Sequence, residues 1–139
     1  MRTGFLSLFL FLCSISIAQE KPLELIVQQH AKNIEGAQFA FLDTILKDRR
    51  IVALGESSHG TEEFSRTKKQ LIQYLHEKLG FNVVLFESPM TNCSFLNIAD
   101  QTNSKELVKN SVQWIWHTET VSELFEYIKS AKIQFVGFD

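Results

Sequence analysis

Three short apolar runs, each of β-strand length, restrict the fold of this chain more than any other feature of its sequence. They are residues 51–54, 83–86 and 133–138. Continuous apolar runs of this kind are typical of strands that are buried on both faces. Amphipathic segments of helical length separate the runs, one from Thr61 to Gly80 and one that begins at Thr118. This βαβαβ order predicts an α/β fold, a parallel β-sheet with helices on both faces.

The first eighteen residues predict a secretory signal peptide. Arg2 supplies a short positive start, residues 5–13 are almost unbroken apolar chain, and Ala18 ends a stretch of small residues. The apolar stretch is shorter than the ~20 residues that span a bilayer. We therefore expect export to the periplasm or the cell exterior, with cleavage near Ala18 that leaves residues 19–139 as the mature chain.

Charge and cysteine content limit the partners of the chain. The sequence has 14 basic and 16 acidic residues among 139 and a net charge of −2, which excludes an electrostatically driven nucleic-acid binder. After cleavage Cys93 is the single cysteine, so the fold must rely on packing rather than on an internal disulfide. We expect a small-molecule partner, with neither nucleic acid nor a stable membrane span.

An acidic residue follows each predicted strand: Glu56, Glu87 and Asp139. In a parallel sheet these strand ends lie along one edge, where α/β proteins place their sites. His59 lies three residues beyond Glu56, in the loop before a long helix. A single strand-end acid often only caps a helix, but three of them with a loop histidine favour a functional site.

Two other interpretations of this loop are weak. Residues 55–61 imitate a phosphate-binding loop, but Thr61 stands where the lysine is needed and Glu56 would repel a phosphate. The loop also begins like a nucleophile elbow, but His59 replaces the closing glycine. We therefore expect neither a nucleotide cofactor nor a serine nucleophile.

A longer motif surrounds the same loop. Residues 51–64 read IVALGESSHGTEEF, which places G-E-x-x-H-G-T between a predicted strand and a predicted helix. Further matching positions are Lys68, Leu71, Gly80-Phe81, Glu87, Trp116, Thr118 and Gly137-Phe138-Asp139. In order and spacing these residues resemble the erythromycin esterase family over about residues 40–139.

The resemblance implies an activity and a role for each matched residue. The family hydrolyses the lactone ester of macrolide antibiotics, which can confer resistance, and uses an imidazole as general base on water. It implies His59 as that base, Glu56 and Glu87 as catalytic carboxylates, and Lys68 and Asp139 as substrate-binding residues. A neutral histidine can take a proton from water near pH 7, and a neighbouring carboxylate fixes its tautomer. No cofactor is expected.

The resemblance also leaves alternatives open. Family members are longer, so we expect residues 19–139 to be the N-terminal part of an incomplete domain, which could be an inactive binding fragment. A related superfamily with a G-x-x-H loop hydrolyses peptides with a metal. Glu56, His59, Glu87 and Asp139 could bind Mn²⁺ or Zn²⁺, because oxygens with an imidazole suit these ions.

Overall fold

The computed structural model describes residues 22–98 and 103–138, so the predicted signal peptide and Asp139 lie outside the described residues. The chain divides into two units, Met1–Asn33 and Ile34–Asp139. In the first, helix α1 (Leu23–His30) begins after Pro22, which is tolerated at a helix start because it needs no hydrogen-bond partner for its nitrogen. None of the described helices is both long and apolar enough to cross a membrane.

The second unit contains five further α-helices and two strands among its described residues. In chain order they are α2 (Leu42–Leu46), α3 (Glu62–Leu79), β1 (Val83–Phe86), α4 (Met90–Ile98), α5 (Ser104–Ser111), α6 (Glu119–Ser130) and β2 (Gln134–Gly137). A 3₁₀ turn, Trp114–Trp116, precedes α6. This mixture of helices with a parallel sheet is consistent with an α/β fold.

The two strands run parallel, with Val83 opposite Gln134 and Phe86 opposite Gly137. Parallel strands need a crossover connection, which α4, α5 and α6 provide. In the crossover, α4 packs against β2, α5 contacts both α4 and α6, and α3 packs against α6. The carboxyl ends of β1 and β2 therefore lie side by side, as predicted for an edge that carries a site.

The predicted first strand is absent from the described residues. Residues 51–54 have no regular secondary structure, and the described sheet has two strands, so the βαβαβ order with its helices on both faces is not confirmed. A groove of about 830 Å³ is lined by residues 49–55, α3 and β1. Ile51 is 86% exposed and Leu85 60% exposed. An apolar run indicates a tendency to be buried, but a strand also needs a hydrogen-bonded neighbour, and here that pairing is not made.

An aromatic cluster forms the core beneath the end of β1. Phe125 of α6 and Phe135 of β2 are completely buried, with ring centroids 4.8 Å apart. Phe86, the last residue of β1, lies 6.1 Å from Phe125 and 5.8 Å from Phe135. Aromatic pairs at such distances add about 0.5–1.5 kcal/mol beyond the area that they bury. The core therefore fixes the carboxyl end of β1 firmly.

Gly137 allows β2 to approach the segment that follows β1. A Cβ atom at this position would lie 2.3 Å from the carbonyl oxygen of Ser88 and 2.9 Å from Sγ of Cys93. Neither neighbour can move freely, because one is backbone and the other is fully buried. Only glycine fits this crossing of β2 over the start of α4.

Candidate active site

The candidate site begins in the loop between residue 54 and α3. Gly60 has φ +76°, a left-handed conformation that favours glycine, and it turns the chain into the helix. Thr61 occupies the N-cap position with extended backbone, but its side chain makes no capping hydrogen bond. It pairs instead with the hydroxyl of Ser58, at 3.2 Å. The loop is therefore closed by side chains within it, which places His59 beside Glu56.

Glu56 and His59 form the central contact of the site. Nδ1 of His59 lies 2.7 Å from Oε1 of Glu56. The carboxylate can only accept when ionised, so Nδ1 carries the proton and Nε2 keeps its lone pair in the neutral imidazole. The Glu56 side chain is 9% exposed, whereas that of His59 is 48% exposed. A buried carboxylate thus orients an imidazole that solvent can reach.

Lys68 binds the other oxygen of the same carboxylate. It lies in the second turn of α3, and its Nζ donates to Oε2 of Glu56 at 2.6 Å. The same ammonium lies 5.7 Å from the ring centroid of Trp116, a cation–π distance. The resemblance implies that Lys68 binds substrate, and in the structure its ammonium pairs with Glu56.

The charges around Glu56 set its protonation. Burial alone raises the pKa of the carboxyl group, and it is the largest single influence. The hydrogen bonds from Lys68 and His59 and the charges of both groups together outweigh it, so the pKa lies below the ordinary value of 4.5. Glu56 is therefore an anion at neutral pH, as an acceptor for Nδ1–H must be.

Trp116 forms the aromatic wall of the site. Its ring centroid lies 5.2 Å from that of His59, with the planes at 84°. It lies 5.2 Å from Phe86 in a similar edge-on contact. The turn that carries Trp116 is therefore a packing anchor that also touches the histidine. The place of Trp116 in the erythromycin esterase resemblance is the sequence signal that pointed to it.

Contacts between α3 and α6 bring Trp116 to this position. Thr120, in the first turn of α6, donates to the carboxylate of Glu62, and Lys69 forms an ion pair with Glu123. In both pairs the two residues are more than fifty positions apart in sequence. Because the Trp114–Trp116 turn directly precedes α6, the packing of α6 against α3 places the indole of Trp116 in contact with Lys68 and His59.

Within the described residues, Glu87 is a predicted site residue that is not part of this hydrogen-bonded group. Glu87 follows β1, is exposed, and lines the groove beside Lys68 and Trp116. It takes no part in the hydrogen bonds that join Glu56 to His59 and Lys68. Asp139 lies outside the described residues. Across residues 22–98 and 103–138, no group of three or more His, Cys, Asp and Glu side chains is arranged to hold a metal ion.

Known proteins of Bacillus subtilis and Escherichia coli are similar to this chain in sequence. The chain is 42% identical over 134 residues to a Bacillus subtilis (strain 168) protein named "Putative hydrolase YbfO". This match covers 88% of this chain and 30% of the relative. It is 28% identical over 108 residues to erythromycin esterase type I and 33% identical over 109 residues to erythromycin esterase type II, both of Escherichia coli. Each esterase match covers 73% of this chain, and 27% and 26% of the respective relative.

No protein-family model matches the chain, and no solved structure matches it. The chain spans between 26% and 30% of the length of these three relatives. All three carry the name of a hydrolase or an esterase. The chain is therefore a homologue of the erythromycin esterases, which confirms the resemblance identified from its sequence.

Proposed function

We propose that this chain carries the water-activating part of a carboxylic ester hydrolase that acts on a macrolactone or another ester. His59 is the general base, Glu56 and Glu87 are the catalytic carboxylates, and Asp139 contributes to substrate binding. The observation that carries the proposal is the hydrogen bond of 2.7 Å between Nδ1 of His59 and Oε1 of Glu56. It leaves Nε2 as a basic nitrogen on a side chain that water can reach.

The chemistry follows from this pair. Nε2 takes a proton from water while the water oxygen attacks the ester carbonyl carbon, which gives a tetrahedral oxyanion and an imidazolium. The anionic Glu56 stabilises the imidazolium through Nδ1–H, as a carboxylate does in other histidine bases. The imidazolium then returns the proton to the departing alkoxide oxygen as the carbon–oxygen bond breaks. The products are a carboxylic acid and an alcohol, and His59 is neutral again.

A metal-dependent hydrolysis on the same residues is the competing mechanism. Both oxygens of Glu56 already accept hydrogen bonds, one from His59 and one from Lys68. The ammonium of Lys68 lies 2.6 Å from Oε2, and its positive charge would repel a metal ion bound to the same carboxylate. This arrangement favours the metal-free base, and no cofactor is part of the proposal.

Export is part of the same proposal. Arg2, the apolar residues 5–13 and the small residues before position 19 support a cleaved signal peptide. An exported esterase would meet a macrolide outside the cytoplasm, and its hydrolysis there would confer resistance. Mass spectrometry of the exported protein tests the cleavage, since the expected mature N-terminus is Gln19.

Substitution of His59 tests the activity. In the full-length protein we expect His59→Gln to lower the hydrolysis of erythromycin or a simple aryl ester by about 10²–10⁴-fold, the usual contribution of a general base. The circular dichroism spectrum should not change, because the side chain is half exposed. His30→Ala, at an exposed position of α1, is the control. Normal turnover in His59→Gln, or a wild-type protein that hydrolyses no ester, would refute the proposal.

A further inference from the structure

Lys68 makes two contacts inside the protein that a substrate ligand would not be expected to make. Its Nζ lies 2.6 Å from Oε2 of Glu56 and 5.7 Å from the ring centroid of Trp116. Its side chain is only 23% exposed. The ammonium is therefore mostly enclosed by two groups of the protein, a carboxylate and an aromatic ring.

On the basis of the proposed function, we propose that Lys68 is a positioning residue, which holds Glu56 so that Glu56 fixes the tautomer of His59. A carboxylate is free to rotate about its terminal bond, since that torsion has no sharp minima. The bond from Lys68 to Oε2 stops this rotation and leaves Oε1 directed at Nδ1 of His59. Lys68 therefore acts on the reaction through Glu56, without touching the substrate.

Trp116 completes the arrangement. Trp116 is 7% exposed, and its indole makes an edge-on contact with the ring of Phe86 in β1. It contacts the ammonium of Lys68 and the ring of His59 together. The contacts therefore link four side chains into a ring, in which each side chain contacts two of the others: Lys68, Glu56, His59 and Trp116. The sheet supports this ring of contacts, because Phe86 of β1 packs against the core on one side and against Trp116 on the other.

Two substitutions of Lys68 and a matched control separate positioning from substrate binding. Lys68→Met keeps the length of the stem and removes the charge, whereas Lys68→Arg keeps both the charge and the donors. Lys78→Met is the control, because Lys78 is an exposed lysine in the last turn of the same helix, α3. Lys68→Gln replaces the methionine variant if that variant does not fold.

The first readout is the tautomer of His59, which does not depend on any activity. Nitrogen-15 spectra of the histidine side chains distinguish the Nδ1–H from the Nε2–H form, and the His59 signal is identified by its loss in His59→Gln. We expect the Nδ1–H form in the wild type, in Lys68→Arg and in Lys78→Met. Lys68→Met should show a substantial Nε2–H population. An unchanged tautomer in Lys68→Met would overturn the proposal.

The second readout is ester hydrolysis in the full-length protein. Lys68→Met should lower kcat by about 10- to 100-fold, the range expected when a reacting group is misplaced, with KM unchanged. Lys68→Arg should restore most of the rate. A rise in KM with normal kcat would instead make Lys68 a substrate ligand and overturn the inference. If the wild type hydrolyses no ester, the proposed function fails, but the tautomer measurement still decides the role of Lys68.

Discussion

Glu56 accepts a hydrogen bond of 2.7 Å from His59 although its own side chain is almost buried and that of the histidine is half exposed. The pair thus spans the boundary between the protein interior and the solvent. The interior end stays charged because Lys68 donates to the second oxygen. The exposed end can exchange protons with water. A hydrolytic base needs both properties.

Removal of the charge of Glu56 should abolish most of the activity. Glu56→Gln is close in shape but cannot stabilise an imidazolium, and an equivalent loss in another histidine base costs about 10⁴-fold in kcat. We expect a loss of about 10²–10⁴-fold in the rate of ester hydrolysis. Glu63→Gln is the matched control, because Glu63 lies in the exposed first turn of α3. A Glu56→Gln variant with wild-type kcat would show that the pair is structural.

The stability of the fold should depend on the ionisation of Glu56. The pKa of Glu56 in the folded state lies below 4.5, so the folded protein binds fewer protons here than the unfolded chain does. Its contribution to the free energy of unfolding is therefore fully present above pH 4.5 and is lost as the pH falls through the folded-state pKa. Urea unfolding between pH 3 and pH 7 measures this loss, and Glu56→Gln should make that part of the profile flatter. A Glu56→Gln profile that keeps the wild-type slope would contradict this expectation.

Chelation should leave the activity intact. In the proposed mechanism the base is an imidazole oriented by a carboxylate whose two oxygens already have donors. We expect protein purified without chelator to keep its rate of ester hydrolysis after dialysis against EDTA. Elemental analysis of the same samples is the accompanying measurement. Stoichiometric metal, with activity lost on its removal and regained on its return, would establish the metal-dependent mechanism instead.

Alanine at position 137 should destabilise the protein. The added Cβ would meet the Ser88 carbonyl oxygen at 2.3 Å and Cys93 Sγ at 2.9 Å, and overpacking of this kind costs about 1–3 kcal/mol. Thermal or urea unfolding of Gly137→Ala measures the loss. Gly55→Ala is the control, since a Cβ there would have no neighbour within 4 Å. Equal stability of the two variants would show that the crossing at Gly137 can relax.

Signals that are local in sequence predicted most of the regular elements. The apolar run at residues 83–86 is β1, with the same bounds. Gly80 ends α3 in a left-handed conformation, and the amide of Phe81 donates to the carbonyl of Leu75, as in a Schellman motif. Thr118 caps α6 by accepting from the amide of Val121. In each case the residues that decide the structure lie within one or two turns of each other.

Features that depend on distant residues were harder to predict. Residues 51–54 have the composition of a strand, but strand formation depends on a partner elsewhere in the chain. Residues 89–113 carry little periodicity, although they form α4 and α5.

The site shows the same division. The spacing of Glu56 and His59 within one loop predicted that they would meet, and the structure brings them together. Trp116 lies 57 residues beyond His59, and its contact with the imidazole depends on the docking of α6 against α3. No local signal encodes that docking. The role of Glu87 and of Asp139 stays a prediction.

Among the described residues one edge of β1 has no strand partner, and this edge also governs how copies of this chain behave towards each other. Val83 and Leu85 of this strand are exposed. The backbone N–H and C=O groups of an unpaired strand edge can form hydrogen bonds with a strand of another molecule. Arg49 and Arg50 line the adjoining groove, so two such edges that approach each other also bring like charges together. Added salt screens this repulsion. Self-association of the chain by edge-to-edge strand pairing should therefore increase with ionic strength.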